Sequence, residues 1–189
     1  MMSTGELRSR LSLLAGSKGQ ALWDLMDALI DDYAERTVRA DAGWVELFRF
    51  SVPGDPRGKG RPRFSRAAGR AYTDSATRHY EDRVACAARE AWGGPPIDRN
   101  TPVRVTLVAT FKRPGNRYRV KDEGQDQKTT KPDLDNVTKA TLDALDLAGI
   151  IADQQVIEVH SRKQLAPIVD RKAKTCGPTG LLVVVEVAT

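Results

Sequence analysis

The chain has 189 residues, of which 40% are hydrophobic and 29% are charged, a composition that fits a folded protein with its own core and excludes a disordered or fibrous chain. Lysine and arginine exceed aspartate and glutamate by five, an excess that hints at a polyanionic partner. No apolar run approaches the roughly 18 residues of a membrane span, the start does not resemble a signal peptide, and Cys86 and Cys176 lack metal-binding spacing, so we expect a reduced, cytoplasmic protein without a membrane partner.

The first 45 residues are acidic, with seven acids against five bases, whereas the rest of the chain is basic. Within them, residues 17–20 fit a capping box, and apolar residues follow at helical spacing. We therefore predict an N-terminal helical extension over residues 1–43 and a main domain over residues 44–189. Such a short helical segment cannot bury its own apolar stripe, so we expect it to pack on the main domain, on a partner subunit or on another protein. The stripe consists of Leu22, Met26, Leu29 and Tyr33.

The first half of the main domain is predicted to contain one strand and one helix. Residues 44–52 are rich in aromatic and β-branched side chains, which favour a strand. A loop rich in glycine and proline follows over residues 53–72, with a short hairpin near residues 67–70. A helix capped by one of residues 73–75 then runs to about Trp92, where a Gly-Gly-Pro-Pro sequence stops it.

The second half is predicted to contain three strands and one helix. Residues 103–111 alternate between apolar and polar side chains, which indicates a half-buried strand. A long loop over residues 113–131 leads to a helix over about 135–148, with Gly149 as its C-cap. Strands follow over residues 156–163 and 181–187. These elements predict a mixed α/β (α+β) fold, with a small mixed sheet of about four strands packed with two main helices.

Acidic residues cluster at the start of the second helix. Asp133 and Asp135 are two residues apart, a spacing that in extended chain points both carboxylates to one side, where oxygen ligands can bind a hard cation. Lys139 lies one turn after Asp135, so its amine can reach a phosphate near those acids. Asp153 precedes the next strand and would supply a third carboxylate if that strand lies beside the start of the helix.

Each of these residues also has an ordinary interpretation. Aspartate is a common helix N-cap, so the Asp133/Asp135 pair alone is a weak indication of a metal. Asp153 alone suits a turn, and Lys139 alone suits a solvated surface. Asp143 extends the polar face of the same helix, and we expect it, like Asp146, only to be solvated.

The basic loop, residues 53–72, is the second feature. Between Arg49 and Ala71, seven bases stand against one acid, Asp55. Glycine and proline between the bases disfavour a regular helix or a central strand, so guanidinium groups and backbone amides can both meet phosphates. The alternative is a loop that only keeps the protein soluble. The bases expected to contact nucleic-acid phosphates are Arg57, Lys59, Arg61, Arg63 and Arg70, together with Lys131 beside the acidic cluster.

The acids, the lysine and the basic loop together suggest metal-assisted cleavage of a phosphodiester bond. A cation would lower the pKa of a bound water and stabilise charge on the scissile phosphate. Neither His79 nor His160 has an evident acid–base partner in the sequence, so neither is favoured as a general base.

Two segments resemble the RusA family of Holliday-junction resolvases. The first reads KPDLDNVTK over residues 131–139, LDAL over 142–145 and GIIADQQV over 149–156. The second reads KGRPRF over residues 59–64 and is similar to the basic region near the start of many members. The similarity covers residues 44–189. It implies a small, homodimeric, magnesium-dependent endonuclease of mixed α/β fold that nicks two strands of a four-way junction symmetrically.

The resemblance implies roles for individual residues. Asp133, Asp135 and Asp153 would bind the metal, with Mn²⁺ able to replace Mg²⁺, and Lys139 would contact the scissile phosphate or steady the transition state. Many members carry two adjacent acids before a Gln-Val step, where this chain has only Asp153. Glu158 therefore remains an alternative third acid.

Three functions are compatible with these features. We favour resolution of four-way DNA junctions, by a homodimer whose two-fold axis matches the near-symmetry of the junction, in recombination and repair or in phage DNA processing. The second is a broader nuclease for branched DNA such as flaps and forks. The third is a DNA-binding recombination accessory protein without catalysis, although the complete set of three acids and a lysine argues against it.

Overall fold

The computed structural model of the protein describes residues 43–60, 63–65, 69–72 and 74–188. Apart from Gly43, the predicted N-terminal extension lies outside these residues and stays a prediction. The strands are β1 (Trp44–Pro53), β2 (Arg63–Ser65), β3 (Arg70–Tyr72), β4 (Val103–Phe111), β5 (Val156–Leu165), β6 (Ile168–Asp170), β7 (Thr175–Cys176) and β8 (Gly180–Ala188). The helices are α1 (Ser75–Ala91), α2 (Leu134–Leu147) and two 3₁₀ turns, Val120–Asp122 and Asp153–Gln155.

Four strands form the main sheet, in the order β1-β8-β4-β5. β8 pairs antiparallel with both β1 and β4, whereas β4 and β5 run parallel. A parallel pair needs a crossover connection, and the chain from β4 to β5 contains α2. The predicted mixed α/β fold with four main strands and two helices is confirmed. The predicted hairpin in the basic loop is also present, as the antiparallel pair β2–β3.

Both helices begin and end at residues that the sequence marks. Asp74 caps α1, because its carboxylate accepts a hydrogen bond from the backbone N–H of Thr77 at 3.0 Å. One face of α2 is buried, and Gly149 follows that helix with a positive φ of 70°; the buried residues are Val137, Ala140, Thr141, Ala144 and Leu145. Arg89, near the end of α1, donates to the carbonyl oxygens of Leu147 and Ala148 at the end of α2. This contact ties the two helices together and satisfies carbonyls that have no partner inside the helix.

The half-buried strand predicted over residues 103–111 is wrong, because β4 is buried on both faces. Arg104 is fully buried, and its guanidinium makes two hydrogen bonds to Glu186 on β8, at 2.7 and 2.9 Å. It also lies over the ring of Trp44, 4.9 Å from the centroid. The polar residues of β4 therefore meet side chains of neighbouring strands rather than water. Alternation alone does not distinguish these two environments, and β4 occupies the interior of the sheet.

The long loop predicted over residues 113–131 is organised around Arg113, whose side chain is buried. Its guanidinium donates to the carbonyl oxygen of Ala166 at 3.0 Å and to the carboxylate of Asp126 at 2.5 Å. It also reaches the carbonyl oxygens of Asp122 and Gln125. The loop therefore leads into α2 from a fixed position. In the described part of the chain, no helix is long and apolar enough to cross a membrane.

Candidate active site

A groove of about 520 Å³ lies between α2 and the start of β5. Asp135, Lys139 and Asp143 line it from α2, and Asp153 lines it from the 3₁₀ turn before β5. The groove thus brings together three of the four predicted catalytic residues. The crossover from β4 to β5 explains this, because it lays α2 beside the strand that follows Asp153. The other lining residues are Leu134, Thr138, Leu142, Val159 and Ser161.

Asp135 and Lys139 share the groove because they are four residues apart in a helix, which places them on one face. Both side chains are exposed. A phosphate in the groove would therefore meet a carboxylate and an amine one turn apart. This is the arrangement that the sequence spacing predicts.

Asp133 lies at the N-cap of α2 in extended conformation, and its side chain makes no capping hydrogen bond. Asp133 is therefore the N-cap residue by position, but its carboxylate does not cap the helix. It lines a neighbouring groove with Gly58, Lys131 and Asn136 rather than the groove of Asp135. Asp135 already lies in the first helical turn, where the period is not two, so the argument from extended chain does not apply to this pair.

A buried glutamine holds the turn that carries Asp153. The side-chain oxygen of Gln155 accepts from the N–H of Ala152 at 2.7 Å. Its amide nitrogen donates to the carbonyl oxygens of Asp98, at 2.6 Å, and Thr101, at 3.3 Å. The glutamine of the Asp-x-Gln-Val sequence therefore fixes the turn from inside, while Asp153 stays exposed at the groove.

Glu158 lies on the other face of the sheet. Val159 and Ser161 line the groove, and alternate residues of a strand point to opposite faces. The carboxylate of Glu158 is 2.5 Å from the Nε2 atom of His160 and 3.9 Å from the buried guanidinium of Arg104. Of the two candidates for the third acid, only Asp153 opens onto the groove of Asp135.

The predicted metal ligands are carboxylates, which are suitable ligands for a hard divalent cation. They do not form a ready-made binding site in this structure. In the part of the chain that the structure describes, no three His, Cys, Asp or Glu side chains lie close enough to hold one ion together. Asp135 and Asp153 nevertheless expose oxygen ligands to the same groove, and Mg²⁺ and Mn²⁺ prefer such ligands. The chemistry of these donors therefore suits a hard divalent cation.

One lysine beside the site is not predicted from the sequence. Lys163, on β5, donates hydrogen bonds to the carbonyl oxygens of Thr130, at 3.0 Å, and Pro132, at 2.9 Å. These carbonyls belong to the last loop residues before Asp133. The only sequence signal for it is the alternation of residues along a strand. Lys163 is an even number of residues from Val159 and Ser161, so it points to the same face of the sheet as these two residues, which line the groove.

The bases predicted to contact DNA have different environments. Arg57 and Lys131 are exposed, and Lys131 lines the groove that contains Asp133. Arg63 and Arg70 lie on the paired strands β2 and β3, and Arg61 lies outside the described residues. Lys59 differs from the other described bases of the loop, because its amine lies between two helices.

Lys59 forms ion pairs with Asp143 on α2 and with Glu81 on α1, the latter at 3.3 Å. Burial by itself lowers the pKa of this amine, but the hydrogen bonds and charges of the two carboxylates outweigh burial and raise the pKa above its usual value. Asp143 is half-buried and paired with Lys59, so the expectation that it is only solvated is wrong.

The family model described as Endodeoxyribonuclease RusA matches residues 53–174. This span contains the basic loop, both helices and all four predicted catalytic residues. The chain belongs to the RusA endodeoxyribonuclease family, a family of Holliday-junction nucleases. The match confirms the resemblance that the sequence motifs indicate.

The chain is also similar to the uncharacterized protein YqaN of Bacillus subtilis (strain 168). The two are 26% identical over 125 residues, which amount to 63% of this chain and 88% of YqaN. The name of that relative specifies no activity, so the functional argument depends on the family and on the groove.

Proposed function

We propose that the protein is a Mg²⁺-dependent endodeoxyribonuclease that binds four-way DNA junctions and resolves them by paired symmetric nicks. The observation that carries this proposal is the shared groove of Asp135, Lys139 and Asp153 in a chain of the RusA family. We place the activity in the cytoplasm of a bacterial cell, in recombination and repair or in phage DNA processing.

The carboxylates of Asp133, Asp135 and Asp153 are the proposed metal ligands, and Mn²⁺ is expected to replace Mg²⁺. A bound divalent cation supplies an activated water and neutralises charge on the phosphate. Lys139, one turn from Asp135, donates to the scissile phosphate and stabilises the negative charge that grows on its oxygens. His160 has no part in this scheme, because its imidazole pairs with Glu158 on the face of the sheet opposite the groove.

DNA binding is proposed to use phosphate contacts on the side of the basic loop. Arg57 and Lys131 are exposed, and Lys131 shares a groove with Asp133. Phosphate contacts position the DNA backbone without reading sequence, which suits an enzyme that recognises the shape of a branch. A homodimer would present two such sites about one two-fold axis and so cut two strands symmetrically.

The test compares Asp135→Asn with the wild-type protein on a synthetic four-way junction, with and without Mg²⁺. The variant is expected to bind the junction and not to cleave it, because an amide is a poor ligand for the cation. Asp146→Asn is the matched control, since Asp146 is exposed on the same helix and lines neither groove. Wild-type nicking by Asp135→Asn would reject the metal-site assignment.

The substrates of the same assay separate the alternatives. Equal cleavage of junction, fork and flap would replace junction resolution by a broader branched-DNA nuclease. Binding without cleavage of any substrate at any Mg²⁺ or Mn²⁺ concentration would indicate the non-catalytic accessory protein.

A further inference from the structure

The amine of Lys59 lies between two carboxylates, one from each of the two helices. Asp143 belongs to α2 and Glu81 to α1, and the side chains of these two acids are 30% and 12% exposed, against 25% for Lys59. Among the described residues, Lys59 is the one cation within ion-pairing distance of either carboxylate. The sequence distance from Lys59 to Asp143 is 84 residues, so this contact joins distant parts of the chain.

The backbone around Lys59 is held by the same helix. The N–H of Lys59 donates to the carbonyl oxygen of Asn136 at 2.8 Å. A Cβ atom added at Gly58 would come within 2.9 Å of Pro132 and 3.1 Å of Asn136, so the loop approaches the start of α2 as closely as glycine allows. These contacts are therefore made with Pro132, directly before Asp133, and with Asn136, directly after Asp135.

A phosphate contact by Lys59 would be costly. If the amine moved to a phosphate, the partly buried carboxylates of Asp143 and Glu81 would lose their counter-charge. If the amine stayed in place, the same two carboxylates would repel the phosphate. No described carboxylate forms an ion pair with Arg57, two residues earlier, and its side chain is exposed.

We propose that Lys59 is a positioning residue, which locks the basic loop onto α2 through Asp143 and onto α1 through Glu81 and thereby sets the DNA-binding arginines relative to Asp135 and Lys139. This role rests on the proposed nuclease function. It replaces the phosphate contact predicted for Lys59 from the sequence. The glycines beside Lys59 then serve close packing rather than exposure of amides to DNA.

The test measures two quantities for Lys59→Met: the slope of log binding constant against log salt for a four-way junction, and the single-turnover cleavage rate at saturating protein. The slope is expected to equal that of the wild type, because no phosphate contact is lost. The rate is expected to fall by about tenfold to a hundredfold, since small errors of placement slow a reaction strongly. Arg57→Met should lower the slope by about one, and Lys121→Met, at an exposed lysine that lines neither groove, should change neither quantity.

Three further variants complete the test. Asp143→Asn should slow cleavage, and Lys59→Met/Asp143→Asn should be no slower than the slower single variant, because both changes break one contact. The triple variant Lys59→Met/Asp143→Asn/Glu81→Gln leaves no unpaired carboxylate and should show the same unchanged slope and slow rate. Circular dichroism melting verifies that each variant is folded.

Any fall of about one in the salt slope of Lys59→Met overturns the proposal, whatever its cleavage rate. Deficits of Lys59→Met and Asp143→Asn that multiply in the double variant also overturn it. A wild-type protein that cleaves no branched DNA refutes the nuclease function instead. The coupling of Lys59 and Asp143 in thermal stability, measured by the same double-mutant cycle, then still tests the contact.

Discussion

The ammonium group of Lys163 donates a hydrogen bond to the carbonyl oxygen of Pro132, 2.9 Å away, in the residue directly before Asp133. A second bond, to the carbonyl oxygen of Thr130 at 3.0 Å, holds the same loop. The strand that follows Asp153 thus also supports the loop that precedes Asp133. This contact links the two ends of the proposed metal site through one side chain.

Lys163→Met is expected to reduce cleavage by about tenfold to a hundredfold, the usual effect of removing a group that orients a metal ligand. The reason is that the loop before Asp133 loses both of these hydrogen bonds. The Mg²⁺ concentration for half-maximal rate should rise in a titration of the cleavage assay. Lys172→Met, at an exposed lysine elsewhere, is the control. An unchanged Mg²⁺ requirement and rate in Lys163→Met would show that these two hydrogen bonds have no catalytic consequence.

Asp153→Asn should abolish cleavage, whereas Glu158→Gln should leave it nearly intact. Asp153 opens onto the groove of Asp135, while Glu158 pairs with His160 on the opposite face of the sheet. The measurement is single-turnover junction cleavage in Mg²⁺ by each variant. The reverse result would assign the third acid to Glu158 and contradict the geometry of β5.

Arg104→Met is expected to lower the free energy of unfolding by about 3–5 kcal/mol, because it leaves the buried carboxylate of Glu186 without its cation. The double variant Arg104→Met/Glu186→Met should regain most of this loss, since apolar groups of similar size replace both charges. Denaturation in urea measures both values. Equal instability of the single and double variants would mean that the packing of Arg104, including its contact with Trp44, matters more than the charge pair.

Alkaline pH should destabilise the protein through Tyr80. Burial raises the pKa of Tyr80 to about 12, whereas an unfolded tyrosine titrates near pH 10. Between these values the unfolded chain loses a proton that the folded protein keeps, so stability falls as pH rises, by up to about 1.4 kcal/mol per pH unit for this group.

Tyr80→Phe should remove that part of the pH dependence while keeping the ring in the core. Unfolding free energies measured across the same alkaline range, for wild type and variant, provide the test. Burial also raises the pKa of Tyr118 to about 12, so some alkaline loss should persist in Tyr80→Phe. Identical slopes for the two proteins would show that Tyr80 does not titrate differently on unfolding.

The sequence by itself determined the features that depend on local periodicity. Asp135 and Lys139 share a groove because a helix repeats every 3.6 residues, and that period is visible in the apolar face of α2. The four strands of the main sheet, the N-cap at Asp74 and the glycine after α2 follow from the same kind of local signal. The motif around these residues was also sufficient to indicate the family.

The tertiary structure decided which distant side chains meet. It placed Asp153 in the groove and Glu158 on the opposite face of the sheet, although both lie near the start of β5. It also directed Lys59 to Asp143 and Lys163 to Pro132. Spacing along the chain carries no information about such pairs, because they depend on how the crossover lays α2 against β5 and how the basic loop packs on α2.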